Sequence, residues 1–185
     1  MRWSVHIRVL ILAVVTLPCF ANSILIPMDQ KQQNHLKSYG LAYYALQRGG
    51  YVEWLLNYRG GSFLIPYEKE IHSECVVRGI SFEIISDAAV KTILAEIESP
   101  SVNMNVVRLE KAPRIAVYSP KSDLIKDETD AVILVLDYAE IPYKLLYDEE
   151  VLKDELAKYD WLHLHHEDFT GQAGRRLRRD SQVEA

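Results

Sequence analysis

The sequence predicts an α/β protein whose second half is a parallel sheet covered by helices on both faces. Three observations carry this. Apolar residues switch between the two-residue period of strands and the helical period; strands and helices alternate from Arg114 onward; and the composition is that of a globular chain. Of 185 residues, 49% are apolar and 25% charged, which suits a chain with one core.

The first 21 residues read as a cleavable signal peptide, with Arg2, His6 and Arg8 ahead of the apolar run Val9 to Leu17, then Pro18, and Ala21 at the cleavage position. The run is too short to span a bilayer, and Pro18 interrupts it, so the mature chain is expected to be exported, periplasmic or extracellular, with no stable membrane span. Loss of the leader takes Lys+Arg from 21 to 19 against 26 acids, a formal charge of −7. That balance argues against nucleic acid as a partner. Cys75 alone of the two cysteines survives cleavage, so neither an internal disulfide nor a cysteine-based zinc site is available.

Ser23 to Pro27 predicts a strand, and Leu36, Tyr39, Tyr43 and Leu46 predict a helix that Gly49-Gly50 ends. Val52 to Tyr58 and Phe63 to Ile65 predict a hairpin turning at Arg59-Gly60-Gly61-Ser62. Those glycines beside Arg59 have the makings of an anion nest, but a plain two-glycine turn accounts for them better. Ile80, Phe82 and Ile84 alternate as a strand; Ser86 or Asp87 caps a helix carrying Val90, Ile93, Leu94 and Ile97; another strand follows at Asn105 to Leu109. Beyond Arg114 come strand Ile115 to Tyr118, a helix from about Thr129 to Ala139, strand Tyr143 to Tyr147, a short helix near Val151 to Leu156 and strand Trp161 to His165. Residues 172–185 carry an Arg-rich cluster without apolar periodicity and are expected to be a disordered basic tail.

Four stretches resemble a family of exported bacterial proteins: Leu25-Ile-Pro-Met-Asp29, Trp54 to Phe63, Arg114-Ile-Ala-Val-Tyr-Ser-Pro120, and Tyr159 to Gly171. Members are often labelled asparagine synthetase B. The resemblance implies a flavodoxin-like, class I glutamine amidotransferase-like fold over residues 22–171, divided into an N-terminal part at 22–112 and the start of the parallel sheet at 113–171. Beyond Gly171 the chain departs from the family and reads as truncated at its C-terminus.

The chemistry of the family label is not carried by these residues. A glutamine-dependent asparagine synthetase uses an N-terminal cysteine, whereas cleavage here exposes Asn22; Gly60-Gly61-Ser62 lacks the rest of a pyrophosphate loop. Nor does any cysteine sit on a strand-to-helix elbow. Cys75, in Ser-Glu-Cys-Val-Val, reads as a buried structural thiol.

The densest group of reactive side chains is His163, His165, His166, Glu167 and Asp168, where the third parallel strand ends. Ligands of open α/β sheets bind at that end of the strands. His163, His165 and Glu167 are the candidate ligands for zinc or another divalent ion, and a carboxylate beside a histidine is a candidate general base. The plainer reading has these residues capping the strand and facing solvent. Asp123, Asp127, Glu128 and Asp130 lack the glycine and carbonyl pattern of a calcium loop and read as solvated charge. The functional expectation is a non-catalytic protein that holds a small ligand or a protein partner at the carboxyl edge of its sheet. The alternatives are an exported hydrolase or amidotransferase-like enzyme using His163 to Asp168, and a gene fragment without a function of its own.

Overall fold

The computed structural model describes residues 22–119 and 131–164. The leader, the acidic loop at 123–130 and the tail lie outside the described residues.

Two sheets form. The first contains β1 (Asn22–Ile26), β2 (Val52–Leu56), β3 (Ser62–Pro66), β4 (Glu83–Ser86) and β5 (Asn105–Leu109), in the order β4-β1-β3-β2-β5. Every pairing in it is antiparallel, in keeping with the hairpin read at β2 and β3, and the parallel sheet lies in the second half, where the sequence places it. The β2–β3 hairpin sets this sense, because β1 pairs with β3 and runs the same way as β2. With α1 (His35–Gln47) and α2 (Lys69–Val77), the elements β1 to β4 trace the split βαβ arrangement of a ferredoxin-like unit. To this α3 (Asp87–Ile97) and β5 add a second covering layer and a fifth strand.

Alternation along β1 explains its unbroken apolar run. Ile24 and Ile26 point to α1 and α2 and pack with Leu41, Leu46, Ile71 and Cys75. Leu25 points the other way, with Leu55 and Leu64, onto Ile93, Leu94 and Ile97 of α3. Ser86 caps α3 by accepting a hydrogen bond from the Ala89 N–H at 3.4 Å.

The second sheet contains β6 (Ile115–Tyr118), β7 (Tyr143–Leu146) and β8 (Trp161–Leu164), all parallel, in the order β7-β6-β8. Helix α4 (Ala131–Ala139) joins β6 to β7; α5 (Asp148–Leu152) and a 3₁₀ turn at Glu155–Lys158 lead to β8. Ile115 and Val117 pack under Ile133 and Leu136 of α4.

Helix α1 seams the two sheets together. A Cβ on Gly40 would run into the backbone carbonyl of Ala139, so a glycine here lets α1 and α4 touch backbone to backbone. Around that point the Tyr43 hydroxyl donates to the Pro113 carbonyl at 2.7 Å and Asn34 Nδ2 donates to the Tyr138 hydroxyl at 2.8 Å. Glu140 receives Lys37 Nζ at 2.6 Å and Arg78 Nη2 at 3.0 Å, tying the ends of α4, α1 and α2 together. Among the described residues no helix is long and apolar enough to cross a membrane.

Candidate functional site

The four stretches that carry the family resemblance meet in two pairs, each closed by an arginine and an aspartate. In the first, Arg59 Nε donates to Asp29 Oδ2 at 2.9 Å and Arg59 Nη1 to Glu83 Oε1 at 2.8 Å. Arg59 is held at φ 44° and ψ 48°, and its own carbonyl accepts the Met28 N–H at 3.1 Å. Gly60, at φ 83°, lies so close to Met28 that a Cβ would strike the Met28 carbonyl. With two carboxylates on its guanidinium, Arg59 has its charge matched within the protein, and the glycine turn serves as a clasp between β1 and β3. Sequence reasoning singled out Arg59 but neither Asp29 nor Glu83.

In the second pair, the side chain of Arg114 grips Asp160 at 3.0 and 3.1 Å, and the Arg114 N–H donates to the same carboxylate at 2.8 Å. The bidentate fork fixes the start of β8 beside the start of β6. It holds the Asp160 carboxyl well below the usual carboxylate range, the side-chain hydrogen bond from Arg114 being the largest cause. Asp160 and Arg114 therefore work at the amino ends of the strands, opposite their carboxyl edge.

At the carboxyl edge, alternation divides β8 between two environments. His163 lies beside Val117, on the face that α4 covers, and is half-buried. Leu162 and Leu164 lie beside Ala116 and Tyr118 and face the other way. There they line an open groove of about 470 Å³ together with Tyr118, Asp148, Val151, Leu152 and Leu156. Its polar corner is a hydrogen bond of 2.6 Å from the Tyr118 hydroxyl to Asp148 Oδ1. Leu152 leaves 84% of its surface exposed on the rim. Ser119, directly after β6, is fully buried and donates its N–H to the Leu146 carbonyl at 2.9 Å.

Of the five histidine and carboxylate candidates, only His163 is placed; His165, His166, Glu167 and Asp168 lie outside the described residues. His163 and the groove fall on opposite faces of the sheet. The groove lies at the carboxyl edge to which the sequence analysis looked, but Leu162 and Leu164 were passed over there, and their alternation with His163 was the available signal. Cys75, on α2, is fully buried, and burial is the main reason its thiol is pushed up to about 12.

No protein-family model matches the chain, and no curated protein does. One solved structure similar to part of it is a formyltetrahydrofolate deformylase from Pseudomonas putida KT2440, at 14% identity and a TM-score of 0.21. The alignment covers 90% of this chain and 57% of that one, so the chain spans just over half the length of that protein. A likeness of this size carries no argument about fold or activity.

Proposed function

We propose that this chain is an exported binding protein of the glutamine amidotransferase-like type, which holds a small, mostly apolar ligand at the carboxyl edge of its parallel sheet. The observation that carries the reading is the groove between β8 and α5. Its volume of about 470 Å³ lies within the range of small-molecule sites. Its lining is leucine and valine with a single polar corner at Tyr118 and Asp148, which would orient one polar group of a ligand.

The position of the groove supports the same reading. Strand order β7-β6-β8 corresponds to the first three strands of the flavodoxin-like order 2-1-3-4-5, in which ligands bind where the first and third strands diverge. Those strands are β6 and β8 here, and Tyr118 and Leu164 stand at their carboxyl ends.

The test is titration of the mature chain from Asn22 with a neutral fluorescent apolar probe, N-phenyl-1-naphthylamine. Saturable binding that weakens about tenfold or more in Leu162→Glu and Leu164→Glu is expected, since each substitution puts a charge on the groove floor. Val77→Glu, on the exposed side of α2, should leave binding unchanged. No saturable binding, or equal binding by all four proteins, sinks the reading.

A further inference from the structure

We infer that the amino ends of the parallel strands carry a second binding site, a tyrosine-lined cleft that takes a small planar aromatic carboxylate. The site is at the opposite end of the sheet from the apolar groove and is independent of it. An open cleft of about 270 Å³ lies there between the second half of α1 and the starts of β6, β7 and β8. That volume is just under the usual range for drug-sized ligands and suits a single substituted ring.

Aromatic lining is the first argument. Three tyrosine rings reach the cleft from three separate places: Tyr43 from α1, Tyr143 from β7 and Tyr159 from the end of the 3₁₀ turn before β8. Each is half-buried, packed on the protein while part of its side chain meets the cleft. Tyr43 is fixed further, its hydroxyl donating to the Pro113 carbonyl at 2.7 Å. Stacked or edge-to-face rings gain more than their burial alone supplies, so such a lining favours a flat ring over an aliphatic one.

Charge is the second. Arg114 turns Nε and Nη2 to Asp160 at 3.0 and 3.1 Å, which leaves Nη1 with donors to spare on a side chain that is 58% exposed. Among the described residues the Lys144 ammonium has neither an ion pair nor a hydrogen bond, and the side-chain amide of Gln47 has no partner either. Lys111 lies 3.6 Å from Asp160, so Lys111, Arg114 and Lys144 against the one carboxylate leave a local charge of +2 on a chain whose formal charge is −5. A ligand carboxylate placed here meets a guanidinium already oriented by its fork and an ammonium still to be matched. Groups held in place before binding lower the cost of ordering the site.

Together the two features define the ligand. The local positive charge disfavours amines, an aliphatic acid leaves the tyrosine rings unused, and a neutral ring leaves the Lys144 ammonium unmatched. An aromatic carboxylate answers to both. The groove at the carboxyl edge offers the opposite chemistry, leucine and valine with the Asp148 carboxylate at its polar corner, and so rejects the same molecule.

The test is isothermal titration of the mature chain, Asn22 to Ala185, with benzoate at low salt. Saturable one-to-one binding is expected, about tenfold or more tighter than that of benzamide, which lacks the charge. It should also be at least about threefold tighter than that of cyclohexanecarboxylate, which lacks the flat ring. Lys144→Gln, at an exposed position, should weaken benzoate about tenfold while leaving the urea midpoint of unfolding unchanged. Leu164→Glu, in the groove, should leave benzoate binding as in wild type. Absence of saturable binding overturns the inference, as does a Lys144→Gln protein that binds benzoate like wild type. Equal affinity for benzamide or for cyclohexanecarboxylate overturns it too, because the charge or the ring would then go unread. Loss of benzoate binding in Leu164→Glu, or displacement of N-phenyl-1-naphthylamine by benzoate, would put the carboxylate in the groove and leave no second site. Failure of N-phenyl-1-naphthylamine to bind while benzoate behaves as expected would sink the groove reading alone.

Discussion

Asp160 accepts three hydrogen bonds from Arg114 and lies within 3.6 Å of Lys111, which makes it the focus of charge at the amino ends of β6 and β8. Its carboxyl is held below the ordinary value of 3.8, chiefly by the Arg114 side chain and next by the Arg114 N–H. A depressed carboxyl stabilises the fold above its unfolded value, and that contribution disappears as pH falls through the folded value. Asp160→Asn is therefore expected to unfold at lower urea than wild type at pH 7, with the gap narrowing below about pH 4, where the unfolded wild-type chain takes up a proton at Asp160 that the folded chain does not yet hold. Urea titrations at pH 7, 4 and 2.5 check this. A gap that stays constant over that range would show that packing, rather than the ionised carboxylate, is what Asp160 contributes. Asp29 follows the same sign, its carboxyl being lowered first by the Arg59 hydrogen bond.

The helices make their contributions as surfaces. Helix α4 reads Ala-Val-Ile-Leu-Val-Leu-Asp-Tyr-Ala and buries Ile133, Leu136 and Ala139, while Leu134, Val135 and Tyr138 remain exposed. A helix so apolar needs a close neighbour, and Gly40 of α1 provides one. Gly40→Ala forces the two backbones apart although alanine is the better helix former, so a net loss of about 1–3 kcal/mol is expected from overpacking. A neutral or stabilising result in chemical denaturation would mean that α1 slides past the obstruction without loss. Legibility in the sequence also followed element by element. Helix α1 and helix α3 announced themselves through apolar stripes, β2 and β3 through alternation around Gly60-Gly61, and β6 to β8 through regular spacing. Helix α2 did not, because it buries only Ile71 and Cys75 and leaves Val76 and Val77 in solvent, which erases the helical period. The antiparallel pairing of β1 was hidden for a related reason: α3 buries its second face, so Ile24-Leu25-Ile26 shows the unbroken apolar run usual in parallel sheets. At the candidate site, attention went to the titratable cluster, while the groove is made of leucines that look like ordinary core in sequence.

At the scale of the whole molecule, an antiparallel unit and a parallel unit share one helix layer. The α1–α4 seam holds a backbone contact, two side-chain hydrogen bonds and the two ion pairs of Glu140, a set that couples neighbouring units into one cooperative transition. Two probes separate the halves. Cys75, buried in the first unit with its thiol pushed up to about 12, is protected from alkylation until that unit opens. The Val117 amide lies in β6, between two partner strands at the centre of the second unit, and exchanges only when that unit opens. In wild type, increasing urea should expose both at one midpoint. Gly40→Ala, by loosening the seam, should pull the midpoints apart, with the three-stranded parallel unit opening first because its groove face is only partly covered. Coincident midpoints in both proteins would move the source of cooperativity elsewhere, to the segment between β5 and β6; separate midpoints already in wild type would make the two sheets independent folding units that merely touch.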